Sequence, residues 1–146
     1  MQRVTKLVLV PYPAAAMYDL VDRVEDYPGF LPWCSGVDVL EMRADGKTAR
    51  IDINFHGVRA YFTTRNLNRP VKSIIVALED GPFSELSGEW RFGSLADQAC
   101  KVEFDLAYEF ATPILEAAVG PVFRYIANTF VDAFVRRAES LHARKK

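Results

Sequence analysis

Histidine is scarce in this sequence: His56 and His142 are the only two among 146 residues. Acid-base or nucleophilic chemistry needs a positioned base with a partner. Neither histidine has a carboxylate or nucleophile brought to it by the pattern. His56 falls beside a turn on the wet side of a strand, and His142 near the end of the last helix. Cysteine is as sparse. Cys34 and Cys100 form no CxxC pair and no Cys/His cluster, so no metal site is expected, and a chain of this length needs no disulfide framework. Cys34 reads as a small buried thiol and Cys100 as a core position. No glycine-rich phosphate loop leads into a helix. Asp52, Glu89, Glu103 and Asp105 fall on outward strand positions as solvated charges, without the look of a matched acid and base. Neither sign of charge dominates, with 18 Lys and Arg against 19 Asp and Glu. That excludes a global basic field for DNA, so a charged partner must be met by a local patch. The apolar run in MQRVTKLVLVPYP is short, broken by Lys6 and followed by prolines. It can neither span a membrane nor serve as a good secretory signal. The expectation is a reduced, cytoplasmic protein with no cofactor, no metal and no catalytic residue.

Half of the residues are apolar, enough to bury one core in a single domain over 1–146. The clearest periodicity lies over Thr112 to Leu141. Leu115, Val119, Phe123, Ile126, Ala127, Phe130, Phe134, Ala138 and Leu141 recur at spacings of three and four, with Arg124, Asn128, Asp132, Arg136 and Glu139 opposite. This predicts one long amphipathic helix that needs a concave apolar partner. Gly120-Pro121 predicts a kink, or a true start at Pro121. Arg136, Arg137, Arg144, Lys145 and Lys146 fit a solvated helix end, where cations complement the dipole.

Residues 3–10 suit a strand stopped by Pro11 and Pro13, and Pro13 then opens a short helix over 13–24 with Met17, Leu20, Val21 and Val24 on one face. The aromatic-rich 25–34 stretch, broken by Pro28, Gly29 and Pro32, predicts a single helical turn and an ordered loop. From Ser35 the period changes to two. Strands are predicted over 37–43, 49–55, 58–67, 73–78, 86–92 and 100–110, with Asp45-Gly46 as a hairpin turn. With the first strand this makes seven, mostly joined by short turns, hence an antiparallel sheet. One face is polar, so the other must curve around the C-terminal helix, with two short helices at one end. The class is α+β, a helix-grip.

Three stretches carry a family likeness: Val24-Glu-Asp-Tyr-Pro-Gly-Phe-Leu-Pro-Trp-Cys34, the hairpin Phe55-His-Gly-Val-Arg59 with Phe62-Thr-Thr-Arg65, and Phe123 with Asn128 to Ala138. Across essentially its whole length the chain resembles the coenzyme Q-binding START-domain, polyketide cyclase-like family, which includes the RatA-type ribosome association toxins. The resemblance implies the START-like helix-grip fold with a cavity between sheet and long helix. It implies two functions: binding ubiquinone or a related isoprenoid lipid in support of respiration, or binding a ribosomal subunit and blocking subunit association.

The aromatic residues Tyr27, Phe30, Trp33, Phe55, Trp90, Phe92, Tyr108, Phe123 and Phe130 are expected to line an apolar pocket, with Phe83, Phe104 and Phe110 nearby. Each CH₂ of a prenyl tail buried there contributes about 0.8 kcal/mol. Tyr27, Tyr108 and Asn128 are the expected donors to a quinone carbonyl. For a ribosomal subunit the candidates are Arg59, Arg65 and Arg69, with Lys72 beside them. The hydrophobic ligand ranks first, reached through transient contact with a membrane surface, and the ribosome second; a cyclase ranks third.

Overall fold

The computed structural model describes Met1–Ala143, so Arg144, Lys145 and Lys146 lie outside the described residues. Seven strands form one antiparallel sheet: β1 (Gln2–Val10), β2 (Cys34–Arg43), β3 (Gly46–Phe55), β4 (Val58–Arg69), β5 (Ser73–Asp80), β6 (Phe83–Ala96) and β7 (Ala99–Phe110). The helices are α1 (Ala14–Asp22), a 3₁₀ turn at Val24–Gly29 and α2 (Pro113–Ala143). In the sheet the order is β1-β7-β6-β5-β4-β3-β2, a meander whose first strand returns to pair with its last. Alternation dictates the layers. Cys100, Val102, Phe104, Leu106 and Tyr108 of β7 are buried while Lys101, Glu103, Asp105 and Ala107 between them are not. The buried row faces α2, and the other row faces water.

The hairpins show where local chemistry decides. β3 and β4 are joined by His56-Gly57, both with positive φ, 50° and 79°. Two left-handed residues give the turn twist that antiparallel strands favour, and histidine tolerates it better than a β-branched residue does. Between β2 and β3 the loop residues are Ala44 and Asp45, because Gly46 already pairs with Arg43. Asp45-Gly46 is therefore not the turn pair that the sequence suggested. Gly46 is needed for another reason: a Cβ there would sit 1.9 Å from the Asn66 carbonyl oxygen. β2 also starts earlier than expected, at Cys34, and carries register shifts between Cys34 and Gly36 and between Val39 and Glu41. Such bulges blur the period-two signal from which strands are read.

Pro13 lies one position outside α1, with its carbonyl accepting from the Ala16 and Met17 N–H groups. At the far end, Thr112 caps α2 by accepting the Leu115 N–H on its Oγ1 at 3.1 Å. α2 then runs on through Pro121, which neither starts nor ends it. Val119, Val122 and Phe123 are buried on both sides of that proline, so packing outweighs the roughly 3 kcal/mol that a proline costs inside a helix. The buried stripe continues with Ile126, Ala127, Val131, Phe134 and Ala138, whereas Leu115, Phe130 and Leu141 are only half-buried. α1 packs against α2, β6 and β7, and the 3₁₀ turn packs against β2, closing one end of the grip.

Candidate functional site: an apolar cavity and a basic strand

Where α2 crosses the sheet a cavity of about 70 Å³ remains. The 3₁₀ turn contributes Tyr27, the following loop Trp33, β6 Trp90, β7 Phe104, and α2 Phe123 and Phe130. Phe130 sits at the centre of the aromatic wall, its ring centroid 5.6 Å from Trp90, 5.7 Å from Phe104 and 6.1 Å from Trp33. These are offset and tilted contacts, the arrangements that aromatic quadrupoles favour.

β4 supplies the polar part. Its inward row runs on from Phe62 to Thr64 and Asn66 in unbroken alternation, all three lining the cavity, while the irregularity opposite Thr63 and Thr64 places an extra residue, Glu79, on β5. The Thr64 hydroxyl donates to Asn66 Oδ1 at 3.1 Å. Tyr27 adds no free donor, because its hydroxyl donates to the Val21 carbonyl. Burial also pushes the Tyr27 phenol well above the usual tyrosine range, so it stays protonated.

Of the ten residues expected at a ligand, Tyr27, Trp33, Trp90, Phe123 and Phe130 line this cavity. The other five do not. Phe30 packs on Tyr27 and Phe134 under the Arg137 guanidinium. Phe92 is buried between Tyr18 and Trp90. Tyr108 packs on Phe83 and Phe123, away from the lining. Phe55 stacks on the exposed ring of Tyr125 at 5.3 Å, outside the grip. Asn128 is exposed on the back of α2, its amide donating to the Arg124 carbonyl at 2.8 Å. Apolar periodicity places a ring on the inner layer without saying whether it meets a void or another ring. Thr64 and Asn66 lie two and four residues after Phe62 on the same inward row; alternation places them there, but polar side chains in the run Thr63-Thr64-Arg65-Asn66 do not read as the lining of an apolar pocket.

Outside, Arg59, Arg65 and Arg69 all lie exposed on the outer face of β4 and make no ion pair among the described residues. Neither histidine lines the cavity. His56 occupies its left-handed turn, and His142 Nδ1 is 2.8 Å from the Ala138 carbonyl oxygen. Burial pushes the Cys34 thiol up to about 11. Among the described residues no three His, Cys, Asp or Glu side chains gather as a metal site, and no helix is long and apolar enough to cross a membrane.

The family model described as "Polyketide cyclase / dehydrase and lipid transport" matches residues 10–135. The chain belongs to this family. Within it, the ribosome association toxin RatA of Pseudomonas aeruginosa is 45% identical over 139 residues, covering 95% of this chain and 96% of that protein. The solution structure of an 18 kDa protein from Caulobacter crescentus is 32% identical, with a TM-score of 0.74 and coverage of 98% of this chain and 99% of that one. The mitochondrial coenzyme Q-binding protein COQ10 homolog B of Xenopus laevis is 25% identical over 134 residues, covering 89% of this chain and 55% of that protein. The family's START-like grip, a curved sheet closed by a long C-terminal helix, is the fold described above.

Proposed function

We propose that this protein is a RatA-type toxin that associates with a ribosomal subunit, blocks the union of subunits and so inhibits translation. One observation carries the reading: 45% identity to a ribosome association toxin that extends over nearly the full length of both chains. The cavity supports this order of preference. At about 70 Å³ it is less than half the size of the roughly 150 Å³ engineered cavity that admits benzene, far short of a quinone ring with a prenyl tail. The ranking suggested by the aromatic content of the sequence is thereby reversed. The test is a sucrose-gradient profile of purified ribosomes with the protein in excess. The joined-ribosome peak should fall, the free-subunit peaks rise, and the protein travel with one of them. An unchanged profile would sink the reading.

A second reading rests on a specific feature, an almost wholly apolar cavity with one polar corner at Thr64 and Asn66. Such a site suits ubiquinone or a related isoprenoid with its carbonyl toward Asn66, loaded by transient contact with a membrane surface, once the aromatic wall around Phe130 swings outward. Neither reading asks the cavity for catalysis, and its polar lining of Tyr27, Thr64 and Asn66 supports binding over proton transfer. Native mass spectrometry of protein purified from its host tests the second reading, which needs a stoichiometric quinone or prenyl lipid.

A further inference from the structure

A ribosome presents two chemistries, RNA phosphate and ribosomal protein, and the outer face of this sheet distinguishes between them. Alternation along β4 turns Arg59, Tyr61, Arg65, Leu67 and Arg69 outward, all exposed, and Lys72 follows in the next turn. The row from Arg59 to Arg69 extends over roughly 33 Å at about 3.3 Å per residue. Across the strands, Arg50 of β3 lays its guanidinium 4.0 Å from the Tyr61 ring centroid, and Ile75 of β5 faces Leu67. Of the acids nearby, Asp52 pairs with Arg50 at 3.0 Å and Asp80 accepts from the Tyr61 hydroxyl at 3.3 Å, while Asp38, opposite Arg50, and Glu79 have no ion pair among the described residues.

The rest of the outer face is different. Arg91 is held by Glu89, Glu103 and Asp105, and Lys101 by Glu103, so that half neutralises itself. The opposite layer is mixed, with Asp19, Asp26, Asp132 and Glu139 exposed among Arg23, Arg124 and Arg136, and Glu25 tied to Lys47. A net charge of −1 thus conceals a local patch: among the described residues Arg59, Arg65 and Arg69 stand unpaired on one face of β4, while other unpaired cations such as Arg3, Arg23, Arg124 and Arg136 are scattered over β1 and the helices.

We propose that this outward row of β4 is an RNA-binding strip, in which Arg59, Arg65 and Arg69 hold phosphates spaced along one strand and Tyr61 stacks an unpaired base. The inference rests on the ribosome reading for the identity of the RNA. Guanidinium forks match phosphate better than ammonium does, an exposed ring among arginines is a stacking platform, and a row of this length fits a continuous polyanion.

The test is fluorescence anisotropy of the labelled full-length protein, titrated with protein-free ribosomal RNA and with intact subunits between about 50 and 200 mM salt. Three phosphate contacts give a log-log salt slope near −2, taking about −0.7 per contact on single strands. Arg65→Ala with Arg69→Ala should bring that slope down by about 1.4 and weaken binding at low salt. Tyr61→Ala should weaken binding roughly tenfold with the slope unchanged, and Tyr61→Phe should restore it. All three positions are exposed, so the variants should keep the wild-type circular dichroism melt. A wild type that binds intact subunits but not protein-free RNA overturns the strip in favour of a ribosomal protein. Subunit binding that survives the double arginine variant overturns the strip alone. A wild type that binds neither subunits nor RNA overturns the strip and the ribosome reading together.

Discussion

Trp90 is 1% exposed and packs, tilted, on Phe104 with ring centroids 4.5 Å apart, so it is at once wall and core. Trp90→Asp removes that ring and puts an unpaired charge in its place; a loss of at least 3 to 5 kcal/mol, roughly, is expected in urea unfolding. Wild-type stability would refute the assignment of the inner face. The thiol of Cys34 gives a second residue-scale prediction. With its pKa raised to about 11, the protonated thiol is the form that the fold favours. That contribution is present in full below the ordinary thiol pKa and is lost as pH rises toward 11. Near pH 8 roughly 0.1% is thiolate, so native Cys34 should react with iodoacetamide about a hundredfold more slowly than the unfolded chain. Labelling at the unfolded rate would mean the loop opens freely. At this scale the sequence was only half legible. It separated Trp90 and Phe130 from solvent, but not Phe92 from the cavity, because both inner-layer positions look alike until the neighbouring rings are placed.

Among the elements, α2 was the most legible, since nine apolar positions at helical spacing leave no other element type, and what the structure excludes is a true start at Pro121. Its missing N–H was weighed as a local break, whereas burial on both sides of it is a property of the whole sheet. Pro121 is itself exposed. Pro121→Ala should therefore restore the bond to the Ala117 carbonyl at little packing cost, raising stability by about 1 to 2 kcal/mol after allowance for the freer unfolded chain. The melting temperature should rise by about 3 °C or more. A lower melting temperature would mean that the proline ring packs where its exposure says it does not. Strand β2 marks the opposite limit. The bulge between Cys34 and Gly36 interrupts the alternation at its start, so the strand was visible only over 37–43.

The whole molecule has two free sheet edges, since the strand order begins with β1 and ends with β2. Edges invite pairing with other chains, and the two edges are guarded differently. β2 is bent by its bulges. β1 is straight, pairing with β7 from Gln2 to Val10 without a register shift, and its outward Leu7 and Leu9 are 56% and 67% exposed. Within Val4-Thr5-Lys6-Leu7-Val8-Leu9-Val10 a single charge interrupts an otherwise strongly β-forming run. Lys6 lies opposite Phe104 on the layer turned toward α2, half-buried, where an apolar residue would pack as well. A lysine at such a place costs some burial and protects the edge. Lys6→Val should leave the single chain at least as stable but make it self-associate with concentration, read by light scattering after size exclusion. Lys6→Glu should behave as the wild type, because a charge of either sign blocks edge-to-edge pairing. If Lys6→Val elutes as the wild type does at every concentration, the twist of β1, and not its charge, keeps the edge from recruiting another strand.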